Sequence, residues 1–268
     1  MSHTNTANLP FARNWWQHLR TAGVRNFALL ATDDDAAAAL EHALPGRGIR
    51  CPPDIFTAEA DGPVSYRSAG WTRLMFAVPL MVRWVLNLGI NVLWMDTDVV
   101  AVANPFPHVR ALMAEQPPPQ VPLLLASVDG RVPDDNLREC GRTYTSDRRR
   151  WGRSAGGGKL CGGLFYLQHG VSATAFLQDW ERRLRAPGAG AKNQPHYNEA
   201  ISAAATSLSV RTLPCDLFPN GYRYGRAQWR SAQRRKPVLV HANWLKGAAT
   251  KQQHLQAWGL WLGANATQ

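Results

Sequence analysis

Asp96 and Asp98 stand one residue apart at the close of an apolar run, in the string "NVLWMDTDVVAVANPFP" from Asn91 to Pro107. Two carboxylates this close repel, so both stay ionised only where a cation, hydrogen-bond donors or water compensate them. A divalent metal ion meets that need through oxygen ligands at about 2.0–2.6 Å. If the strand runs on through "MDTDV", its alternation puts both acids on one side and Thr97 opposite; a turn there could also aim both at one ion. The plainer alternative is a pair of loop-end acids capping the segment that follows. His241 closes a second apolar run, "PVLVHAN", and neutral imidazole is an acceptable ligand for Mn2+. Lys246 and Gly247 follow at a spacing that lets an ammonium and a backbone N–H reach phosphate oxygens, although a surface lysine reads equally simply. In "KLCGGLFYLQ", Gly162 and Gly163 permit close approach of a ligand to the backbone, or mark a bulge in a strand.

These residues must be positioned by strands and helices, and the chain alternates between the two. A helix is expected over Phe11–Gly23, then a strand over Asn26–Thr32 whose trailing acids, Asp33 to Asp35, suit the start of the next helix. Gly70–Gly89 reads as an apolar helix stopped by glycine before the strand "INVLWM". Val121–Val128, Lys159–Gln168 and Pro237–Asn243 are further strand candidates, with helices over "SATAFLQDWERRLRA" and "YNEAISAAATSL". The fold class is therefore α/β, a mainly parallel sheet with helices on both faces. In such sheets ligands bind beyond the carboxyl ends of the strands, where Asp96 and Asp98 lie.

The chain has 268 residues, 45% of them hydrophobic, enough for one large α/β domain spanning 1–268. A formal charge of +11 points to an anionic partner. Nucleic acid is not expected, because no motif of that class is present and the arginines gather in one segment, 129–159. That segment holds Arg138, Arg142, Arg148, Arg149, Arg150 and Arg153 among glycines, and reads as a mobile loop, either a solvated insertion or a contact for an acidic acceptor. Cys51, Cys140, Cys161 and Cys215 are scattered without a CxxC pair, which indicates neither a zinc site nor a disulfide scaffold. No run reaches the roughly 18 apolar residues of a membrane span, and "MSHTNTANLP" lacks the pattern of a signal peptide.

"MDTDVV" also satisfies the strand-end motif of haloacid-dehalogenase-type phosphohydrolases, in which the first acid is a nucleophile. The later lysine and acidic pair of that family are not matched, since Asp134 and Asp135 follow a turn. A fuller match comes from "VLWMDTDVVAVANPFP", "LCGGLFYLQ", "NQPHYNEAI", "DLFPNGYRYG" and "VHANWLKGAATK" in that order. Together they resemble the plant and algal nucleotide-diphospho-sugar transferase family, which includes rhamnogalacturonan xylosyltransferases and extensin arabinosyltransferases, from about Asn14 to Lys251.

The resemblance implies a Rossmann-like GT-A fold and a retaining glycosyltransferase dependent on Mn2+ or Mg2+. It would take a UDP-type nucleotide-sugar donor and a cell-wall glycan or glycoprotein acceptor, acidic acceptors among them, in the Golgi. It implies Asp96, Asp98 and His241 as metal ligands, with Asp33, Asp96, Thr97, Gly162, Gly163, Asn243, Lys246 and Gly247 around the nucleotide sugar. Asn193 and Gln194 would correspond to the family's Asp-Gln pair beside the reacting carbon, with Asn193 replacing the acid. An amide offers hydrogen bonds but no charge, so an inactive sugar-nucleotide or glycan-binding module is the further alternative. The family's first strand also looks shortened here to "MSHTNTAN", and the same shortening would remove an anchor and stem.

Overall fold

Along the strands, successive side chains enter two different cores. Leu93 and Met95 of β4 (Val92–Met95) join Leu123 and Leu125 of β6 (Leu123–Val128) and Leu164 and Tyr166 of β7 (Leu160–Leu167) on one face. Val92, Trp94, Leu124, Ala126, Phe165 and Leu167 face the other way into the second core. A sheet with two apolar faces must be covered on both, at about 1.5–3 kcal/mol for each large side chain fully buried. The first cover is α1 (Leu9–Thr21), α2 (Asp34–Ala43) and α4 (Phe106–Ala114), through Trp15, Leu19, Leu40 and Val109. The second is α3 (Ala69–Leu86), α5 (Val171–Arg185) and α6 (Asn193–Ala204), through Met81, Phe176, Trp180 and Tyr197. The structure is a computed structural model that describes residues 1–56, 69–115, 121–129, 140–141, 143, 160–186, 193–233 and 235–263.

The remaining strands are β1 (Ser2–Thr4), β2 (Leu29–Ala31), β3 (Gly48–Arg50), β5 (Val99–Ala101), β8 (Ser209–Thr212) and β9 (Leu239–His241). Pairing gives a parallel sheet β1-β2-β3 and a mixed sheet β4-β7-β6-β8. Met1 stitches them: its amino group donates to the Leu93 carbonyl at 2.7 Å, and its own carbonyl accepts from the Met95 N–H at 3.0 Å. The surface therefore continues in the order β3-β2-β1-β4-β7-β6-β8. The segment expected to be a shortened first strand is thus a strand of three residues in the middle of that order.

Helices lie on both faces as expected, but the parallel arrangement covers only part of the sheet. β6 pairs parallel with β8, whereas β7 runs antiparallel to both β4 and β6. A parallel neighbour needs a crossover, normally a helix, and residues 129–159 between β6 and β7 have no apolar periodicity for one. The reversal brings the start of β7, Cys161 to Gly163, to the edge where β4 and β6 end. β9 also departs from expectation: it leaves the large sheet and pairs antiparallel with β5 in a two-stranded ribbon.

The cysteine spacing indicates no disulfide scaffold, yet one pair is cross-linked. Cys140 and Cys215 form a disulfide across 75 residues, while Cys51 and Cys161 are free and buried. Most of the arginine-rich segment, including its six named arginines, lies outside the described residues. No helix among the described residues is long and apolar enough to cross a membrane.

Candidate active site

After Met95 the chain turns. The Val99 N–H donates to the Asp96 carbonyl at 2.9 Å, so Asp96, Thr97 and Asp98 form a tight reversal between β4 and β5. Of the two arrangements open to the Asp-x-Asp triplet, the structure takes the turn. β5 then pairs with β9, setting Val99 opposite His241 and directing the Ala242 N–H to the Asp98 carbonyl at 3.0 Å. This pairing joins residues far apart in the chain: His241 Nε2 lies 3.3 Å from Asp98 Oδ1.

Ligand atoms of Asp96, Asp98 and His241 all fall within 4.8 Å of one another. Two carboxylates and an imidazole suit a divalent ion such as Mn2+ or Mg2+, with carboxylate oxygen favouring the harder ion and imidazole the softer. Gly163 makes room for the cluster. A Cβ there would stand 2.8 Å from His241 Cε1 and 2.9 Å from Asp96 Cγ, closer than real Cβ atoms come. The Gly163 carbonyl also accepts the Asp96 N–H at 2.7 Å, so the backbone of β7 forms the floor of the site. Gly162 faces the other way, towards Trp180 and Tyr197 at ordinary contact distance.

A positive charge already meets the acids. Lys251, on α9 (Ala248–Ala257), donates from Nζ to Asp98 Oδ2 at 2.6 Å. Burial pushes the Asp98 carboxyl up, but Lys251 and His241 beside it outweigh that and hold it well below the usual carboxylate range. Asp96 goes the other way, up to about 6, because burial and the neighbouring Asp98 charge exceed the pull of His241 and Lys251. Burial would lower His241; Asp98 instead raises it well above the ordinary imidazole value. The Cys161 sulfur lies 3.6 Å from His241 Nδ1, and burial pushes that thiol up.

A second polar group adjoins the first. Asp129, just past β6, accepts from Gln194 Nε2 at 2.7 Å and from Asn243 Nδ2 at 2.5 Å. Asn243 in turn accepts the Gly221 N–H at 2.8 Å, where α7 (Gly221–Tyr224) begins ahead of α8 (Ala227–Ala232), and its Nδ2 lies 4.0 Å from the Cys161 sulfur. One carboxylate thereby orients two amides drawn from α6 and the end of β9.

The expected site residues divide accordingly. Asp96, Asp98, His241 and Gly163 come together, with half-buried Thr97 within the turn, while Gln194 and Asn243 join through Asp129. Asn193 is held elsewhere: its Oδ1 accepts from Trp180 Nε1 at 2.9 Å and its Nδ2 approaches the Met75 sulfur at 3.5 Å. Asp33 caps α2 by accepting the Ala36 N–H at 2.8 Å, and it takes the N–H and hydroxyl of Thr6 at 2.8 and 2.6 Å. Lys246 is exposed, and Gly247 precedes α9.

Lys251 and Asp129 were missed from sequence, although each leaves a signal. Lys251 lies four residues before the buried Leu255 and so shares its helix face. Asp129 directly follows the apolar run of β6, the placement that drew attention to Asp96.

The profile of the family described as nucleotide-diphospho-sugar transferase matches residues 22–255. A UDP-D-xylose:L-fucose alpha-1,3-D-xylosyltransferase of Arabidopsis thaliana is 26% identical over 265 residues, covering 95% of this chain and 66% of that protein. A UDP-galactose:fucoside alpha-3-galactosyltransferase of Dictyostelium discoideum is 23% identical over 215 residues, 74% of this chain and 29% of that protein. The chain thus spans about two thirds of the length of the plant relatives it matches. Among solved structures, the apo form of the bifunctional glycosyltransferase WbbM aligns with a TM-score of 0.53 at 13% identity, over 98% of this chain and 49% of that one. The likeness is one of fold, the GT-A fold.

Proposed function

The chain belongs to the nucleotide-diphospho-sugar transferase family, whose members are glycosyltransferases, and from that premise we propose a metal-dependent, retaining sugar transfer from a UDP-type donor to a fucose-bearing glycan. One observation carries the proposal: Asp96 and Asp98, aimed by a turn, face His241 across the β5–β9 ribbon with the Lys251 ammonium on Asp98. Such a cluster is built to receive positive charge and, through it, a diphosphate. Names of the plant and Dictyostelium relatives support the donor and acceptor classes, which extend here to cell-wall glycans or glycoproteins. The reading takes 1–268 as one transferase domain. It includes residence in the Golgi, for which the Cys140–Cys215 disulfide is support, since such bonds persist in oxidising compartments.

In this proposal Asp96, Asp98 and His241 hold the divalent ion, Mn2+ or Mg2+. When bound, it neutralises charge on the departing diphosphate. Lys251, whose ammonium lies on Asp98, would offer that charge to the diphosphate oxygens. Asp129 fixes the Gln194 amide by taking its N–H, which leaves Oε1 on the opposite side to face the positive charge developing at the anomeric carbon. Asn243, fixed by the same carboxylate, lines the site beside it. The acceptor oxygen forms a bond to that carbon as the bond to diphosphate breaks, and the hydroxyl proton leaves with the diphosphate. Asn193, bound to Trp180, acts by keeping α6 seated, so the missing acid at 193 leaves turnover intact.

The haloacid-dehalogenase alternative is not favoured, because the family match spans most of the chain and the nearest acid to Asp96 is bound to a lysine. A donor screen with Mn2+, scoring transfer to methyl α-L-fucoside and donor hydrolysis, tests the proposal. Turnover of at least one UDP-sugar is expected. No turnover of any UDP-sugar, with Asp96-dependent phosphate release from simple phosphate esters, would refute it.

A further inference from the structure

Trp244 has a φ of 64°, and it is the only non-glycine residue with positive φ among the described residues. For a bulky side chain this backbone costs on the order of 1–3 kcal/mol, and it persists only where the surroundings fix it. Here they do. Asn243 is tied on one side to Asp129 at 2.5 Å and to the Gly221 N–H at 2.8 Å. On the other side the chain must reach α9, so that Lys251 can meet Asp98. Trp244 is the reversal between these two anchors, on the rim of the candidate active site.

Glycine or asparagine would make this turn at lower cost. Trp244 is 44% exposed, whereas the other tryptophans named above, Trp15, Trp94 and Trp180, are fully buried. It rests instead against the half-buried Tyr222, with ring centroids 6.3 Å apart and planes inclined at 58°. Tyr222 follows Gly221, so both rings belong to residues next to the hydrogen-bonded Gly221–Asn243 pair. The result is an apolar plate held by backbone and by a second ring, with 44% of Trp244 exposed to solvent.

A pyranose has an apolar face of C–H groups and a polar rim of hydroxyls. An aromatic plate beside convergent polar groups matches both. We propose that Trp244 and Tyr222 form the acceptor subsite: the acceptor's terminal sugar lies on the Trp244 indole, its edge against Tyr222, and presents a hydroxyl towards Gln194 and Asn243. The subsite deepens the transferase reading and rests on it.

The test is saturation-transfer NMR with UDP plus Mg2+ and a panel of methyl glycosides of fucose, galactose, xylose and rhamnose. It compares the wild type with Trp244→Gly, which accepts the left-handed backbone, and Trp244→Phe, which keeps a plate. The wild type and Trp244→Phe should transfer saturation to at least one glycoside, and Trp244→Gly should bind that glycoside about tenfold more weakly. UDP signals should persist in all three. If Trp244→Gly fails to fold, Trp244→Asn carries the same comparison. A glycoside signal unchanged in Trp244→Gly, no glycoside signal from a wild type that binds UDP, or joint loss of glycoside and UDP in the variant would each overturn the subsite. Glycoside binding through Trp244 in a protein that ignores UDP would support the plate and refute the donor reading instead.

Discussion

Asp33 and Asp98 both stand just beyond a strand end, and the family resemblance implies a place in the donor site for each, Asp33 beside the nucleotide sugar and Asp98 as a metal ligand. Asp33 is met by neutral donors from its own neighbourhood, the Thr6 N–H and hydroxyl and the Ala36 N–H, at 2.6 to 2.8 Å. Asp98 is met by two side chains that can carry positive charge, Lys251 at 2.6 Å and His241 at 3.3 Å, with a second carboxylate beside them. Removing the donors of Asp33 would undo the start of α2. The Asp98 side chain is instead compensated by charge. The partners an acid meets, more than its place at a strand end, separate the helix cap at Asp33 from the charged cluster at Asp98.

The largest expected effect is at Asp98. Asp98→Asn should lower donor turnover by about 10²–10³-fold, the scale of one lost electrostatic stabiliser, in a protein that still folds. Turnover within a fewfold of wild type would put Asp98 in the same class as Asp33. Lys251 comes next, since it carries the only cation seen on Asp98 besides His241 among the described residues. Lys251→Met should weaken UDP by roughly 10- to 100-fold, the worth of a charged hydrogen bond, and leave uridine unaffected. The exposed Lys246 should give no such difference when changed to Ala, and equal losses at the two lysines would restore the role first read for Lys246.

Asp96 offers a pH test. Its folded pKa of about 6 lies above the ordinary value of 3.8, so protonated Asp96 favours the fold below about 3.8 and that contribution is lost as pH rises through 6. Asp96→Asn imitates the protonated acid. It should therefore stabilise the metal-free protein above pH 6 by on the order of 1–3 kcal/mol, a gain that fades between about pH 6 and pH 4 while metal binding is lost. Thermal melts of both proteins across that range decide the matter; a pH-independent difference would contradict it. The smallest effect belongs to Asp33→Ala, which should cost about 0.5–2 kcal/mol as a lost helix cap. Turnover per folded molecule should not change, and a fall comparable to that of Asp98→Asn would erase the distinction.

Much of the fold is legible in sequence because its signals are local. Continuous apolar runs mark β4, β6 and β7, glycine closes α3, and Asp33 opens α2. Three-residue strands such as β3 and β5 carry too few positions for a period to register. The antiparallel β7 and the β5–β9 ribbon depend on pairing partners, which local pattern does not name. The site follows the same division. Asp96, Asp98 and His241 can be read as strand-end ligands, but Lys251 at Asp98 depends on how α9 docks, and the Cys140–Cys215 bridge on two segments 75 residues apart. Asn193 and Gln194 show the limit most plainly: adjacent in sequence, they point one to Trp180 and the other to Asp129, because successive helical residues face different neighbours.

In the proposed reading, Asp96, Asp98 and His241 hold a divalent ion through which a nucleotide diphosphate binds. Calorimetric titration of UDP, with and without Mn2+, into the wild type and Asp98→Asn tests it most directly. The account predicts UDP binding in the wild type that requires Mn2+, and loss of that coupling in Asp98→Asn. UDP binding of equal strength without Mn2+, or Mn2+-coupled binding retained by Asp98→Asn, would contradict it.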